Sequence, residues 1–223
     1  MAMTYTVLSQ AVADYLETSF TSTGNYDQLN TFIAQAEQRI FNSVQLPDLR
    51  ITTTLNTTAS TPYVQVPADF MSVHSMAVYG PTGTAYAFLL NKDVNYIREA
   101  YPDPAYTGQP AYYALFGPSA GNTLDLAFIL GPTPDQFYNL ELQYFHYPQS
   151  IVTAGETWLG DNFDSALLWG TVVEAYHHLK GEADLLAAYT KRYEEAMALL
   201  KQLGDGKNRM DSYRSGQVRQ GVK

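Results

Sequence analysis

Residues 29–55 read Leu29-Asn-Thr-Phe-Ile-Ala-Gln-Ala-Glu-Gln-Arg-Ile-Phe-Asn-Ser-Val-Gln-Leu-Pro-Asp-Leu-Arg-Ile-Thr-Thr-Thr-Leu55, and the hydrophobic period changes inside them. Leu29, Phe32, Ile33, Ala36 and Ile40 recur at helical spacing, with Gln35, Glu37, Gln38 and Arg39 mostly off that stripe. Pro47 ends any continuation. From about residue 50 the period is two, starting with the β-branched, half-polar Ile51–Leu55. A helix handing over to strands so abruptly points to an α+β fold.

Upstream, Val7, Leu8, Ala11, Val12, Tyr15 and Leu16 predict a first helix, with Thr6 available as its N-cap. Thr21-Ser-Thr-Gly24 breaks that pattern, and Asn25 with Gln28 resembles a capping box opening the second helix. Downstream, strand patterns run over Tyr63–Val66, Ser72–Tyr79, Thr84–Leu90, Ala111–Phe116, Thr123–Leu130 and Phe137–Tyr147, separated by Gly- and Pro-rich turns. Together with Ile51–Leu55 they predict an antiparallel sandwich or barrel. A short helix, Val94–Glu99, capped by Asn91 or Asp93, interrupts them before Pro102. Helical spacing then returns. Asp161 or Asp164 caps a stripe of Leu167, Leu168, Val172, Ala175, Tyr176 and Leu179, ended by Gly181. Glu182 starts the last helix, with Leu185, Leu186, Tyr189, Tyr193, Met197 and Leu200 on one face and Gly204-Asp-Gly206 as its stop.

Amphipathic helices at both ends must bury their stripes, most simply against each other. The expected organisation is a four-helix body, two N-terminal and two C-terminal helices, with an inserted antiparallel β-sandwich or barrel and an extended C-terminal arm. The boundaries read 1–48 and 157–206 for the body, 49–156 for the β module and 207–223 for the arm.

Composition narrows the function. At 24.8 kDa the chain is large enough for a real core, and 46% hydrophobic against 16% charged residues excludes a disordered chain. The absence of cysteine excludes disulfides, iron–sulfur ligation and a thiol nucleophile. No apolar run approaches a bilayer span, and Met1–Thr6 lacks the features of a signal peptide, so no membrane role is expected. The net charge of −9 is unevenly spread: residues 207–223 hold five basic residues against Asp211, which gives +4 and leaves −13 on residues 1–206. A sequence-specific DNA-binding domain would carry its positive charge on the body.

Catalytic chemistry finds little support. Gly117-Pro-Ser119-Ala-Gly121 matches a nucleophile elbow on paper, but that motif requires a helix after the serine, and Asn122–Leu130 has a strand pattern. Glu174, His177 and His178 form one E-x-x-H-H run where a di-metal bundle needs its motif twice. The two histidines read as partly exposed residues near a helix end, and His74 and His146 stand alone on strands. No Walker loop, dinucleotide fingerprint or calcium loop occurs. The expectation is a non-enzyme with no catalytic residue, cofactor or metal.

Several ordered signatures carry a resemblance. Phe32–Ile40 is similar to an "A-E-x-R-I" helix, Val66-Pro-Ala-Asp-Phe70 to an "L-P-x-D-F" step and Gly108–Phe116 to a "G-x-P-x-x-Y-A" strand. Leu126–Pro134 is similar to an "L-x-P-x-P" strand end, Glu141–Tyr147 to an "L-x-Y" strand, and Asp161–Leu203 to a long terminal helix pair. In this order they resemble the head-to-tail adaptor (connector) proteins of short-tailed phages, the tail-tubular-A-like group. The resemblance implies a structural virion protein of the neck, assembled in the host cytoplasm. It implies a homo-oligomeric ring, typically of twelve copies, that joins the portal protein to the next tail component (a nozzle or tubular protein) and to tail fibres. Genomic double-stranded DNA would pass through without sequence-specific binding.

The residues agree physically with that role. An acidic channel wall repels phosphate. The arm offers Lys207, Arg209, Met210, Tyr213, Arg214 and Arg219 as portal-docking residues, with arginines for bidentate carboxylate contacts and Tyr213 as an aromatic anchor. Self-repulsion between acidic chains predicts a monomer or weak oligomer that completes its ring on the portal. Eighteen tyrosines are more than one core easily satisfies and suit interfaces, though stacking on sugars uses the same residues. A glycan-binding tail or receptor-recognition protein is therefore the alternative. A glycosidase would need two carboxylates across a cleft.

Overall fold

The computed structural model describes residues 3–20, 22–23, 26–44, 46, 49–80, 86–103, 105–117 and 126–208, with side chains left out at 22, 23, 26 and 205–208. The chain divides into two compact units, residues 1–47 with 148–223, and residues 48–147.

The first unit opens with α1 (Tyr5–Leu16), whose Leu8 and Val12 are buried. Its N-cap is Thr4, not Thr6: the Thr4 hydroxyl accepts from Val7 N–H, and Tyr5 N–H is anchored to the Gly155 carbonyl at 2.9 Å. A two-residue hairpin pair, β1 (Ser22–Thr23) and β2 (Tyr26–Asp27), leads into α2 (Gln28–Ser43). Asp27 caps that helix by accepting from Asn30 N–H at 3.0 Å. The expected cap Asn25 lies outside the described residues.

The second unit contains β3 (Arg50–Asn56), β4 (Tyr63–Gln65), β5 (Phe70–Tyr79), β6 (Tyr86–Phe88), β7 (Leu90–Asn91), α3 (Val94–Ala100), β8 (Tyr112–Phe116), β9 (Ala127–Gly131) and β10 (Asn139–His146). One four-stranded sheet has the order β3-β10-β5-β6 and the other β4-β9-β8-β7. The pairs are antiparallel except β7 with β8, which is parallel. They form two separate sheets rather than a closed barrel. Val64, Phe128, Leu130 and Tyr113 from one sheet share a core with Met76, Val78, Leu140 and Leu142 from the other. The stretch expected as a single strand over Thr84–Leu90 is divided: β6 belongs to the first sheet and β7 to the second, with buried Leu89 between them. Asp93 caps α3 through Asn95 N–H, and α3 lays Ile97 against Ala114 and Ile129 on the outer face of the second sheet.

The chain then returns to the first unit with α4 (Ile151–Ala154), α5 (Trp158–Asn162), α6 (Asp164–His178) and α7 (Ala183–Asn208). Helix α6 packs against α1, α2 and α7, so the amphipathic ends of the sequence do enclose each other. The expected caps of α6 do not hold. Asp161 lies inside α5, whose cap is Thr157, while Asp164 is in the first turn of α6. There its negative charge faces the positive end of the helix dipole. Nor does Gly204-Asp-Gly206 stop α7, which continues to Asn208 with Gly204 buried. Gly170 marks where three helices meet, because a Cβ there would stand 3.3 Å from Ala36 Cβ and 3.2 Å from the Tyr193 ring.

Candidate functional surfaces

The "A-E-x-R-I" residues are braces. Ala36 and Ile40 are buried in α2, and Glu37, only 4% exposed, accepts from Ile151 N–H at 2.9 Å and from the Ser150 side chain. Burial pushes the Glu37 carboxyl above its ordinary range, against the lowering effect of those two hydrogen bonds. Arg39 forms an ion pair with Glu174 of α6. Helix α2 thereby grips both α4 and α6 from the returning half of the chain.

The other signatures also hold corners. Asp69 accepts from the Tyr144 hydroxyl at 2.9 Å through its side chain, and from Tyr147 N–H at 2.8 Å through its backbone. Phe70 stacks on Tyr144 and meets Phe128 edge-on, which locks the turn between β4 and β5 onto β10. Burial, then the Asp69 hydrogen bond, pushes the Tyr144 phenol up to about 12. Gly108 N–H bonds to the Thr133 carbonyl at 2.8 Å and Ala111 N–H to Gly131 at 2.9 Å, so the "G-x-P" and "L-x-P-x-P" segments zip together.

No catalytic constellation assembles among these residues. Strands β8 and β9 are antiparallel partners with Phe116 opposite Ala127, so the first regular element described after Ser119 is a strand. Ser119 itself lies outside the described residues. Glu174 is committed to Arg39, whereas His177 and His178 are exposed at the end of α6, His178 with its ring 5.2 Å from Phe32. His146 Nδ1 lies 2.8 Å from the Leu49 carbonyl. Among the described residues, no three His, Asp or Glu side chains converge as a metal site, and no helix is long and apolar enough to cross a membrane.

Of the expected docking residues, Lys207 falls in the last turn of α7. Arg209, Met210, Tyr213, Arg214 and Arg219 lie outside the described residues. A groove of about 320 Å³ opens between α2 and α7, lined by Arg39, Ser43, Tyr193, Met197 and Lys201 among others. Burial raises the Tyr193 phenol; Arg39 opposes that shift and Glu174 adds to it. On the second unit, Tyr101 stacks on Tyr106 at 5.6 Å, and Tyr96 meets Tyr112 edge-on. Tyr106 is 60% exposed. Among the described residues, the most exposed large hydrophobic side chain is Phe88, at 70%, on edge strand β6. Sequence reading missed that edge because Tyr86–Leu90 is continuously apolar and looks like buried strand.

The SU10 adaptor protein family model matches residues 3–220, which span both units. The chain belongs to that family. The membership bears out the resemblance to phage head–tail adaptors, and the match is to the SU10 adaptor model rather than to a tail-tubular-A-like one. No curated protein matches the chain. An SU10-family adaptor is a phage structural protein of the virion neck. The braces described above suit such a part, since they stiffen a body and leave its surfaces for neighbours.

Proposed function

We propose that this SU10-family adaptor forms a ring, of twelve copies as in the adaptors it resembles, between the portal and the next tail component. It acts without catalysis. The single observation that carries this reading is the family match across nearly the whole chain, covering helical and β units alike. Charge supports the rest: residues 1–206 carry −13, so a ring of such bodies presents an acidic wall past which DNA phosphate slides without adhering. The basic segment 207–223, with Arg209, Arg214 and Arg219, docks on carboxylates of the portal. Tail nozzle and fibres attach on the opposite side, and the ring is completed in the host cytoplasm during particle assembly. Immunogold labelling of virions in negative stain tests the placement. Gold at the neck is expected; gold on fibre tips alone, or none on intact particles, overturns the reading.

A further inference from the structure

Among the described residues, β3 presents Arg50-Ile-Thr-Thr-Thr-Leu-Asn56 at one outer edge of the first sheet with no strand beyond it, and β6 presents the shorter Tyr86-Ala-Phe88 at the other. Natural proteins blunt such edges with lysine, proline or a bulge, because free backbone N–H and C=O groups template further pairing. Neither edge carries a lysine or a proline: Ile51–Asn56 and the three-residue β6 are uncharged, Arg50 at the start of β3 is the one charge in the two strands, and β3 pairs with β10 without a register break. Phe88, Ala77, Glu141 and Thr54 lie in one row across the sheet, so exposed Phe88 and Thr54 are on the same face at its two ends.

We infer that copies of this chain join head to tail by pairing β6 of one with β3 of the next, continuing the sheet from copy to copy. Charge selects the occupant. Bodies of −13 repel each other wherever carboxylates meet, whereas these two edges hold no carboxylate: Ile51–Asn56 and Tyr86–Phe88 are uncharged and Arg50 is of opposite sign, so acidic chains can approach there. Direction agrees as well. β3 runs antiparallel to β10, β10 to β5 and β5 to β6, so β6 runs antiparallel to β3 and side-by-side copies form an antiparallel pair. Phe88 then covers the methyls of Thr52 or Thr54 of its neighbour, an aromatic–β-branched cross-strand pair. Two different edges make a heterologous contact, which closes into a ring when the rotation between copies allows.

This inference rests on the adaptor reading and deepens it. The native chain has no cysteine, so introduced pairs are unambiguous. Phe88→Cys is combined in turn with Thr52→Cys, Thr54→Cys and Asn56→Cys, and each chain is assembled into particles and run on a non-reducing gel. At least one double variant should give a ladder of covalent multiples, while the single variants give none. Phe88→Lys, at an exposed position that folding tolerates, should cut joined particles by roughly tenfold or more, since a lysine forced into the strand pair is desolvated. Particles that hold the double-cysteine chains at normal yield, show no ladder and tolerate Phe88→Lys remove edge pairing and leave the adaptor role standing. Native chain missing from the particle neck removes both.

Discussion

Replacing Glu37 tests whether a buried carboxylate holds the returning chain to α2. The side chain is 4% exposed and accepts from Ile151 N–H at 2.9 Å and from Ser150. Glu37→Ala strands that buried N–H, and a buried donor left without a partner costs about 1–3 kcal/mol. For a chain of this size that corresponds to a fall of about 2–4 °C in Tm per kcal/mol. Glu37→Gln keeps an oxygen to accept the bond and removes the charge. Because burial raises the folded-state pKa above the ordinary value of 4.5, the native state holds its proton more tightly than the unfolded chain. Wild-type stability is therefore favoured by this group below the unfolded value and declines as pH rises through the folded one. Glu37→Gln lacks that decline, so it should gain on wild type between acidic and neutral pH. Urea unfolding followed by circular dichroism at several pH values measures this. A wild-type advantage over Glu37→Gln that grows with pH would refute the reasoning, because it would mean the carboxylate is stabilised in place.

Gly160→Ala should destabilise the protein even though helix propensity favours alanine by about 1 kcal/mol, because the new Cβ would lie 2.5 Å from the Met3 carbonyl oxygen. Thermal melts showing a raised Tm would contradict it. Gly170→Val should cost about 1–3 kcal/mol by overpacking the α2–α6–α7 crossing, read as a lower urea midpoint. The Tyr144 phenol, pushed up to about 12, keeps its proton while unfolded tyrosines lose theirs near 10, so its contribution is present below pH 10 and is lost as pH rises towards 12. Tyr144→Phe should flatten that alkaline loss in unfolding experiments at pH 9–11. Deleting residues 209–223 should leave the body folded, because it keeps all of α7 as described, Ala183–Asn208, and should abolish attachment to portals in a pull-down. Normal attachment would move the docking surface onto the helices.

Period carried the sequence reading furthest. The stripe of α2, the switch near residue 50 and the terminal helix pair were all visible, because each buries one continuous face. Caps were harder. Thr4 and Thr6 are chemically equivalent, and the choice falls to Thr4 because Tyr5 is tied at both ends, its N–H to Gly155 and its hydroxyl to Asn30. Helices α4 and α5 span four and five residues, too few to show a period at all. The stop expected at Gly204-Asp-Gly206 fails because packing around buried Gly204 overrides intrinsic propensity.

The functional surfaces were less legible than the braces for a physical reason. A brace must satisfy buried groups, and Glu37, Arg39 and Asp69 fall inside the signature segments, although Glu37 reads as lying off the buried stripe and is buried in the structure. An edge that pairs through its backbone needs no particular side chain; it needs only the absence of charge, proline and bulge, and an absence is hard to see in one sequence. Position in the sheet order turns Tyr86–Phe88 from part of one more apolar run into an edge of the first sheet, and Ile51–Asn56 into its counterpart. If copies meet at these strips as proposed, the carboxylates elsewhere would act by repulsion between misaligned copies.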